Sequence, residues 1–133
     1  MATTHHVLVI DDEPFIGRMI AVNFSLGPFR ISTAEDGASA LAFLHENPDV
    51  ELVMADVNLP GKSGLDVMEE ARADASLPQV PWLVLTGTGD TAHLDRARAL
   101  GAAAIVTKPF SPKKLVRLVC ELVGEPVGPE ESR

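Results

Sequence analysis

The order of apolar runs and helical patterns constrains the fold of this chain more than any other feature. Five short apolar runs alternate with five stretches in which apolar residues recur at helical spacing. The runs cover residues 7–10, 30–34, 52–55, 82–85 and 103–106. Strands that alternate with helices form a parallel sheet covered on both faces. We therefore predict an α/β fold, with a five-stranded parallel sheet between two layers of helices.

A first helix is predicted directly after the first strand. Pro14 suits the first turn of a helix. The apolar residues that follow it at helical spacing are Phe15, Met19, Val22 and Leu26. His5 and His6 are interpreted as an exposed lead-in to the first strand rather than as metal ligands. Trp82 opens the fourth strand, and its ring is expected at the rim of the sheet.

Length and charge limit the classes of protein to consider. The chain has 133 residues, enough for one domain with its own core. Its formal net charge of -8 argues against direct binding of nucleic acid and against docking on an anionic membrane. With one cysteine and no signal-peptide or membrane-span pattern, we expect a cytoplasmic protein. Residues 1–124 are predicted to form the domain, and residues 125–133 a flexible tail or severed linker.

Polar residues follow four of the five predicted strands. Asp11 and Asp12 end the first strand, Asp56 the third and Thr86 the fourth, and Lys108 closely follows the fifth. Parallel strands bring such residues to one edge, where ligands bind in open sheets. Two carboxylates about 4 Å apart repel by on the order of 4 kcal/mol at an effective dielectric near 20. Mg²⁺ removes that repulsion, and together with an ammonium and a hydroxyl it suits a phosphoryl group.

Four segments carry a resemblance to a known family. They read VLVIDDEP, LVMADVNLPGKSGLDVM, VLTGTG and IVTKPF, and their spacing matches as well. They resemble the receiver domain of bacterial two-component response regulators, of the chemotaxis-regulator kind, from Val7 to about Val123. The resemblance implies a flavodoxin-like sheet with strand order 2-1-3-4-5.

The resemblance also implies a role for each matching residue. Asp56 is the expected phosphoacceptor, which receives a phosphoryl group from a sensor histidine kinase or a histidine phosphotransfer protein. Asp11, Asp12 and Asp56 are the expected side-chain ligands of Mg²⁺, and Asn58 is expected to add its backbone carbonyl. Lys108 is expected to pair with a phosphoryl oxygen.

Three further positions concern the response to phosphorylation. Thr86 is expected to swing its hydroxyl toward the phosphoryl group, and the Lys108–Pro109 peptide bond is expected to be cis. Thr88 and Asn58 match positions that set the lifetime of the phosphoryl group. The face formed by the fourth helix, fifth strand and fifth helix is expected to change shape. A downstream protein or a fused output domain would then respond to that face.

Two positions depart from the family pattern. Ile105 occupies a position that is often Tyr or Phe, so the usual movement of an aromatic ring cannot operate there. Ser63 stands where Asp or Asn is usual, and its hydroxyl can still cap the third helix.

Two other functions stay open at this point. One is a docking module of the same fold that needs no phosphate, which Ile105 slightly favours. The other is a Mg²⁺-dependent phosphohydrolase with an Asp nucleophile. Adjacent acids after the first strand argue against the phosphohydrolase, because the haloacid-dehalogenase pattern places Asp-x-Asp there.

Overall fold

The computed structural model describes residues 4–25, 27–87 and 91–124. The strands are β1 (His5–Ile10), β2 (Phe29–Ala34), β3 (Val50–Asp56), β4 (Trp82–Thr86) and β5 (Ala104–Thr107). The helices are α1 (Pro14–Phe24), α2 (Gly37–Glu46), α3 (Gly64–Ala73), α4 (Thr91–Ala99) and α5 (Pro112–Val123). All strand pairs are parallel and the order is β2-β1-β3-β4-β5, so the predicted fold class and strand order are confirmed.

The core consists of two apolar clusters, one on each face of the sheet. Side chains alternate across β1, so Leu8 and Ile10 enter one cluster while Val7 and Val9 enter the other. The first cluster packs beneath α2, α3 and α4, and the second beneath α1 and α5. Because the central strands β1, β3 and β4 are buried on both faces, each contains a continuous apolar run, over residues 7–10, 52–55 and 82–85.

Local signals in the sequence set the start of several helices. Asp36 caps α2 by accepting a hydrogen bond from the Ser39 amide at 2.8 Å. Ser63 and Asp66 cap α3 reciprocally, each side chain accepting from the other's backbone amide. The hydroxyl of Ser63 therefore caps the third helix in place of the Asp or Asn usual there.

Three expectations about individual residues are wrong. His5 and His6 lie inside β1 and are only 6% and 4% exposed. They are accommodated because Glu51 and Asp49 accept hydrogen bonds from their rings, at 3.0 and 2.9 Å. Trp82 is 1% exposed and belongs to the core beneath α3 rather than to the rim, because both faces of β4 are covered.

Helix α1 forms as predicted, but the apolar stripe singled out from the sequence is not its buried side. Gly17, Ile20 and Phe24 face the core, whereas Phe15 and Val22 are 66% and 70% exposed. Leu26 lies outside the described residues, as do residues 125–133 of the predicted tail. None of the helices in the described ranges is long and apolar enough to cross a membrane.

Candidate phosphoryl-acceptor and metal site

Strand register brings the predicted site residues to one edge of the sheet. Ile10 pairs with Ala55, so Asp11 leaves β1 level with Asp56 at the end of β3. Thr86 pairs with Thr107, so Lys108 follows β5 beside the end of β4. The Lys108 amide donates a hydrogen bond to the Thr86 carbonyl at 2.8 Å, which fixes this crossing. The carboxyl ends of β1, β3, β4 and β5 therefore bring the predicted polar and charged residues to one edge of the sheet.

The acidic part of the site is a cluster of four carboxylates. Asp11, Asp12, Glu13 and Asp56 each offer an oxygen, and these oxygens all lie within 4.8 Å of one another. Asp11 and Asp56 are buried, and Asp12 and Glu13 are exposed at the rim. We define these four residues as the acidic cluster. Glu13 is not among the predicted site residues. The sole hint in the sequence is that it directly follows two acids, and that does not specify where its side chain lies.

Backbone amides hold the two buried carboxylates in place. Asp11 Oδ1 accepts a hydrogen bond from the Glu13 amide at 2.8 Å. Asp56 Oδ1 accepts one from the Asn58 amide at 3.0 Å. In each case a carboxylate at a strand end bonds the backbone two residues later, a turn that Asp readily forms. The second oxygen of each carboxylate takes no part in these turns.

Lys108 is the cation of the site. Its Nζ donates a hydrogen bond to Asp56 Oδ2 at 2.7 Å and lies 3.5 Å from Asp11 Oδ2. Burial alone would lower the pKa of this ammonium. The hydrogen bond to Asp56 and the charges of Asp56, Asp11 and Glu13 outweigh burial and raise the pKa. Lys108 is therefore a fixed positive charge at neutral pH. The Lys108–Pro109 peptide bond is cis.

Asp11 shows that one ammonium does not neutralise the cluster. Burial raises the pKa of its carboxyl, and the charges of Asp56 and Glu13 add to that effect. The Glu13 amide and Lys108 oppose it without cancelling it. Asp11 Oδ2 is buried and has no hydrogen-bond partner among the described residues. A buried acceptor of this kind is costly unless a cation or a donor satisfies it.

The remaining predicted residues lie around this centre. Thr86 is 2% exposed, and its hydroxyl donates to the Gly87 carbonyl at 3.3 Å rather than to Asp56. Asn58 is exposed beside the acidic cluster. Ile105 is half-buried in β5 and packs against the core beneath α3 and α4. Thr88 lies outside the described residues.

A glycine that the sequence analysis did not single out sets the position of Asp56. A Cβ on Gly64 would lie 2.0 Å from the Asp56 carbonyl oxygen, which no side chain can tolerate. The Gly64 amide donates to the Val57 carbonyl at 2.9 Å. The start of α3 therefore packs directly on the backbone of the buried Asp56, and only glycine permits this approach.

The donor set fits a hard divalent cation. All four acidic side chains offer oxygen, the ligand atom that Mg²⁺ prefers. The Asp11 oxygen without a hydrogen bond and the raised pKa of that carboxyl both indicate uncompensated negative charge. A cation between Asp11, Asp12 and Asp56 would satisfy both features.

Comparison with known proteins agrees with this geometry. Residues 7–120 match the family model described as response regulator receiver domain. The chain is 38% identical over 114 residues to the DNA-binding response regulator MtrA of Mycolicibacterium smegmatis, covering 85% of this chain and 48% of MtrA. It is 32% identical over 110 residues to chemotaxis protein CheY1 of Helicobacter pylori, covering 82% of this chain and 89% of CheY1.

Solved structures show the same likeness. Chemotaxis response regulator CheY4 of Vibrio cholerae superimposes with a TM-score of 0.82 at 27% identity, covering 90% of this chain and 99% of that one. The chain spans about half the length of the first curated relatives it matches, with 44% and 48% of two of them covered. Fold, site and matched sequence agree. The chain belongs to the response regulator receiver domain family of two-component signalling.

Proposed function

We propose that this chain is a phosphorylation-controlled switch in which Asp56 accepts a phosphoryl group from a phosphohistidine. The observation that carries the proposal is the placement of Asp56. Its carboxylate is 3% exposed, is hydrogen-bonded to Lys108 at 2.7 Å and belongs to the acidic cluster. Receiver domains are signalling switches rather than enzymes that turn over a substrate. We therefore do not propose hydrolysis of free phosphate esters.

The proposed transfer makes one bond and breaks one bond. A carboxylate oxygen of Asp56 attacks phosphorus while the bond from phosphorus to the histidine nitrogen breaks. The electron pair of that bond goes to the nitrogen, and because the other ring nitrogen carries a proton, the imidazole leaves as a neutral ring. Lys108 then exchanges its bond to Asp56 for one to a phosphoryl oxygen. Asp11, Asp12, Asp56 and the Asn58 carbonyl would hold Mg²⁺, which would offset the negative charge on the phosphoryl oxygens.

The switch itself is proposed to begin at Thr86. Thr86 is buried, and among the described residues its hydroxyl bonds only the neighbouring Gly87 carbonyl, at a long 3.3 Å. A phosphoryl group on Asp56 offers a charged acceptor, which forms a stronger hydrogen bond than a carbonyl. Rotation of Thr86 toward it would shift the loop after β4 and the face of α4, β5 and α5. The aliphatic side chain of Ile105 would then change its packing.

The side of the site that receives the donor is proposed to be the exposed surface of α1. Phe15 and Val22 are the large apolar residues that stand exposed in the described part of the chain. A groove of about 470 Å³ runs from Phe15 and Met19 to Lys108 and Phe110. It leads from an apolar surface to Lys108, which bonds the Asp56 carboxylate. A histidine kinase or a histidine phosphotransfer protein that covers α1 would place its phosphohistidine over Asp56.

The output stays a proposal about a longer protein or a separate partner. Matched relatives such as MtrA are about twice the length that the chain covers. We propose that the changed face acts on a fused output domain or on a downstream protein. A cytoplasmic location and the lack of direct contact with nucleic acid or membrane follow from that role and from the net charge of -8.

Incubation with acetyl phosphate, followed by measurement of intact mass, tests the proposed chemistry. Wild type should gain one phosphoryl group in the presence of Mg²⁺ and none after chelation. Asp56→Asn should gain none, whereas Asp95→Asn, which removes an exposed acid on α4, should behave as wild type. Labelling that persists in Asp56→Asn would contradict the assignment of the acceptor.

A further inference from the structure

Glu13 carries a carboxylate that the proposed mechanism does not use. It is the N-cap residue of α1, but its side chain makes no capping hydrogen bond. Pro14 follows at the first helical position, and Pro has no backbone amide to be capped. The Glu13 carboxylate is exposed, and within the described ranges it forms no ion pair. Its oxygen nevertheless lies within 4.8 Å of ligand oxygens of Asp11, Asp12 and Asp56.

The acidic cluster carries an excess of negative charge, and Glu13 adds to that excess. Four carboxylates cluster beside the ammonium of Lys108, which lies 2.7 Å from Asp56 Oδ2 and 3.5 Å from Asp11 Oδ2. Independently, Asp11 is 5% exposed, and its Oδ2 lacks a hydrogen bond in the part of the chain that the structure describes. A buried oxygen without a donor, beside three further carboxylates, points to a cation at this position.

Burial separates the four acids into two pairs with different roles. Asp11 and Asp56 lie at the bottom of the site, whereas Asp12 and Glu13 stand at its solvent side. Mg²⁺ dehydrates reluctantly and keeps several waters when it binds a protein. Those waters must face the open side, where their hydrogens need acceptors. Glu13 offers one that no other described group occupies.

We infer that Glu13 is a positioning residue for the cation, whose carboxylate accepts hydrogen bonds from cation-bound water at the mouth of the site. The inference rests on the proposed function, because it assigns Glu13 to the same metal. The fourth negative charge strengthens cation binding before phosphorylation.

Calorimetric titration of the unphosphorylated protein with magnesium chloride tests this role without reference to activity. Glu13→Gln keeps the size of the side chain and removes its charge. Because one charge acts on a divalent ion across a few ångström of hydrated space, we expect about three- to tenfold weaker Mg²⁺ binding. Glu13→Asp restores the charge and should recover part of the affinity. A purely structural role at the start of α1 would not produce that recovery.

Glu35→Gln is the matched control. Glu35 is an exposed acid that lines the same cleft as Asp11 and Glu13, beside Arg18, but lies outside the acidic cluster. Its loss changes the net charge equally and should weaken Mg²⁺ binding much less. If Glu35→Gln weakens Mg²⁺ binding as much as Glu13→Gln does, the inference is wrong, because the effect would then come from the overall negative charge of the protein. An unchanged Mg²⁺ affinity in Glu13→Gln would also show that the inference is wrong.

Failure of the inference about Glu13 and failure of the proposed function would give different results. If wild type binds Mg²⁺ and Glu13→Gln binds it equally well, the inference about Glu13 is wrong and the proposed function stands. If wild type itself shows no heat of Mg²⁺ binding, the metal part of the proposed function is wrong, and the role of Glu13 falls with it. Thermal unfolding of each variant without metal shows whether the fold is intact.

Discussion

Asp11 illustrates at the scale of one residue how this site stores unfavourable charge. Its carboxyl is buried beside Asp56 and Glu13, and the single amide and ammonium near it do not compensate. Folding therefore favours the protonated form of Asp11. The cost falls on the metal-free protein and would be relieved by a bound cation, so that stability and cation binding would be linked through this residue.

Replacement of Asp11 by Asn should stabilise the metal-free protein at pH 7. Because folding raises the pKa of Asp11, the ionised carboxyl destabilises the native state above that pKa. The gain from Asp11→Asn should be largest at neutral pH and shrink as pH falls through the raised pKa toward the ordinary value of 3.8. Thermal unfolding with a chelator, at neutral and acidic pH, should show a rise of a few degrees at pH 7 only.

Added Mg²⁺ is the control for that measurement. The cation should raise the melting temperature of wild type and leave Asp11→Asn less affected, so that the difference narrows or reverses. A variant that is less stable than wild type at pH 7 without metal would show that Asp11 is a net stabilising residue. Such a result would contradict the electrostatic description of the site.

At the scale of single elements, the packing of the start of α3 on the end of β3 sets the position of Asp56, the proposed phosphoacceptor. Gly64 begins α3 in contact with the backbone of Asp56, and Ser63 and Asp66 cap the same helix. The helix start and the strand end are therefore one packed unit. Any side chain at residue 64 must displace the acceptor or the helix.

Gly64→Ala should destabilise the protein by on the order of 3 kcal/mol, because its Cβ would meet backbone that cannot rotate away. Gly87→Ala is the matched control, since a Cβ there meets nothing within 4 Å. Urea unfolding at equilibrium measures both changes. Equal stability of Gly64→Ala and wild type would show that the α3 start tolerates movement away from Asp56.

Replacement of Phe15 by Ser should separate donor docking from chemistry. Phe15 is 66% exposed, so its loss should leave stability and labelling by acetyl phosphate nearly unchanged. Transfer from a phosphorylated histidine kinase should slow at least several-fold if that partner covers α1. The rates with both donors decide the matter, and equal slowing with acetyl phosphate would place the defect in the site itself.

Helix α1 also shows which parts of an element can be predicted from sequence. Spacing alone predicts the helix, but the segment contains two apolar stripes that satisfy helical periodicity. Phe15, Met19 and Val22 form one, and Ile16, Ile20 and Phe24 the other. The sheet selects the second stripe because Gly17, on the same side, allows close approach to Thr33. That choice depends on tertiary neighbours, which a local pattern does not contain.

At the scale of the whole molecule, topology explains why the site was more predictable than its surroundings. Parallel strands must deliver their carboxyl ends to one edge, so Asp11, Asp56, Thr86 and Lys108 were expected together once five strands were recognised. Burial of His5 and His6 was not predictable, because their partners come from the far side of a crossover. The cluster role of Glu13 depends on turn geometry that residue spacing does not specify.

The proposed switch makes a prediction about the whole domain. Addition of beryllium fluoride, a phosphoryl mimic, with Mg²⁺ should shift amide resonances of α4, β5 and α5 and leave those of α2 nearly unchanged. Thr86→Ala should still bind the mimic but should lose most of the distant shifts, because the hydroxyl that links the site to the loop after β4 is gone. Full shifts in Thr86→Ala would contradict the role given to that residue.

Locating the phosphoryl group within the chain tests the role of Asp56 itself. Protein treated with acetyl phosphate and Mg²⁺ is reduced with borohydride, which converts an aspartyl phosphate to homoserine, and its peptides are then sequenced by mass spectrometry. If Asp56 is the phosphoacceptor, homoserine should appear at residue 56, and Asp11 and Asp12 should remain unmodified. Homoserine at residue 11 or 12, or its absence from every peptide, would contradict the claim that this chain is a phosphoacceptor through Asp56.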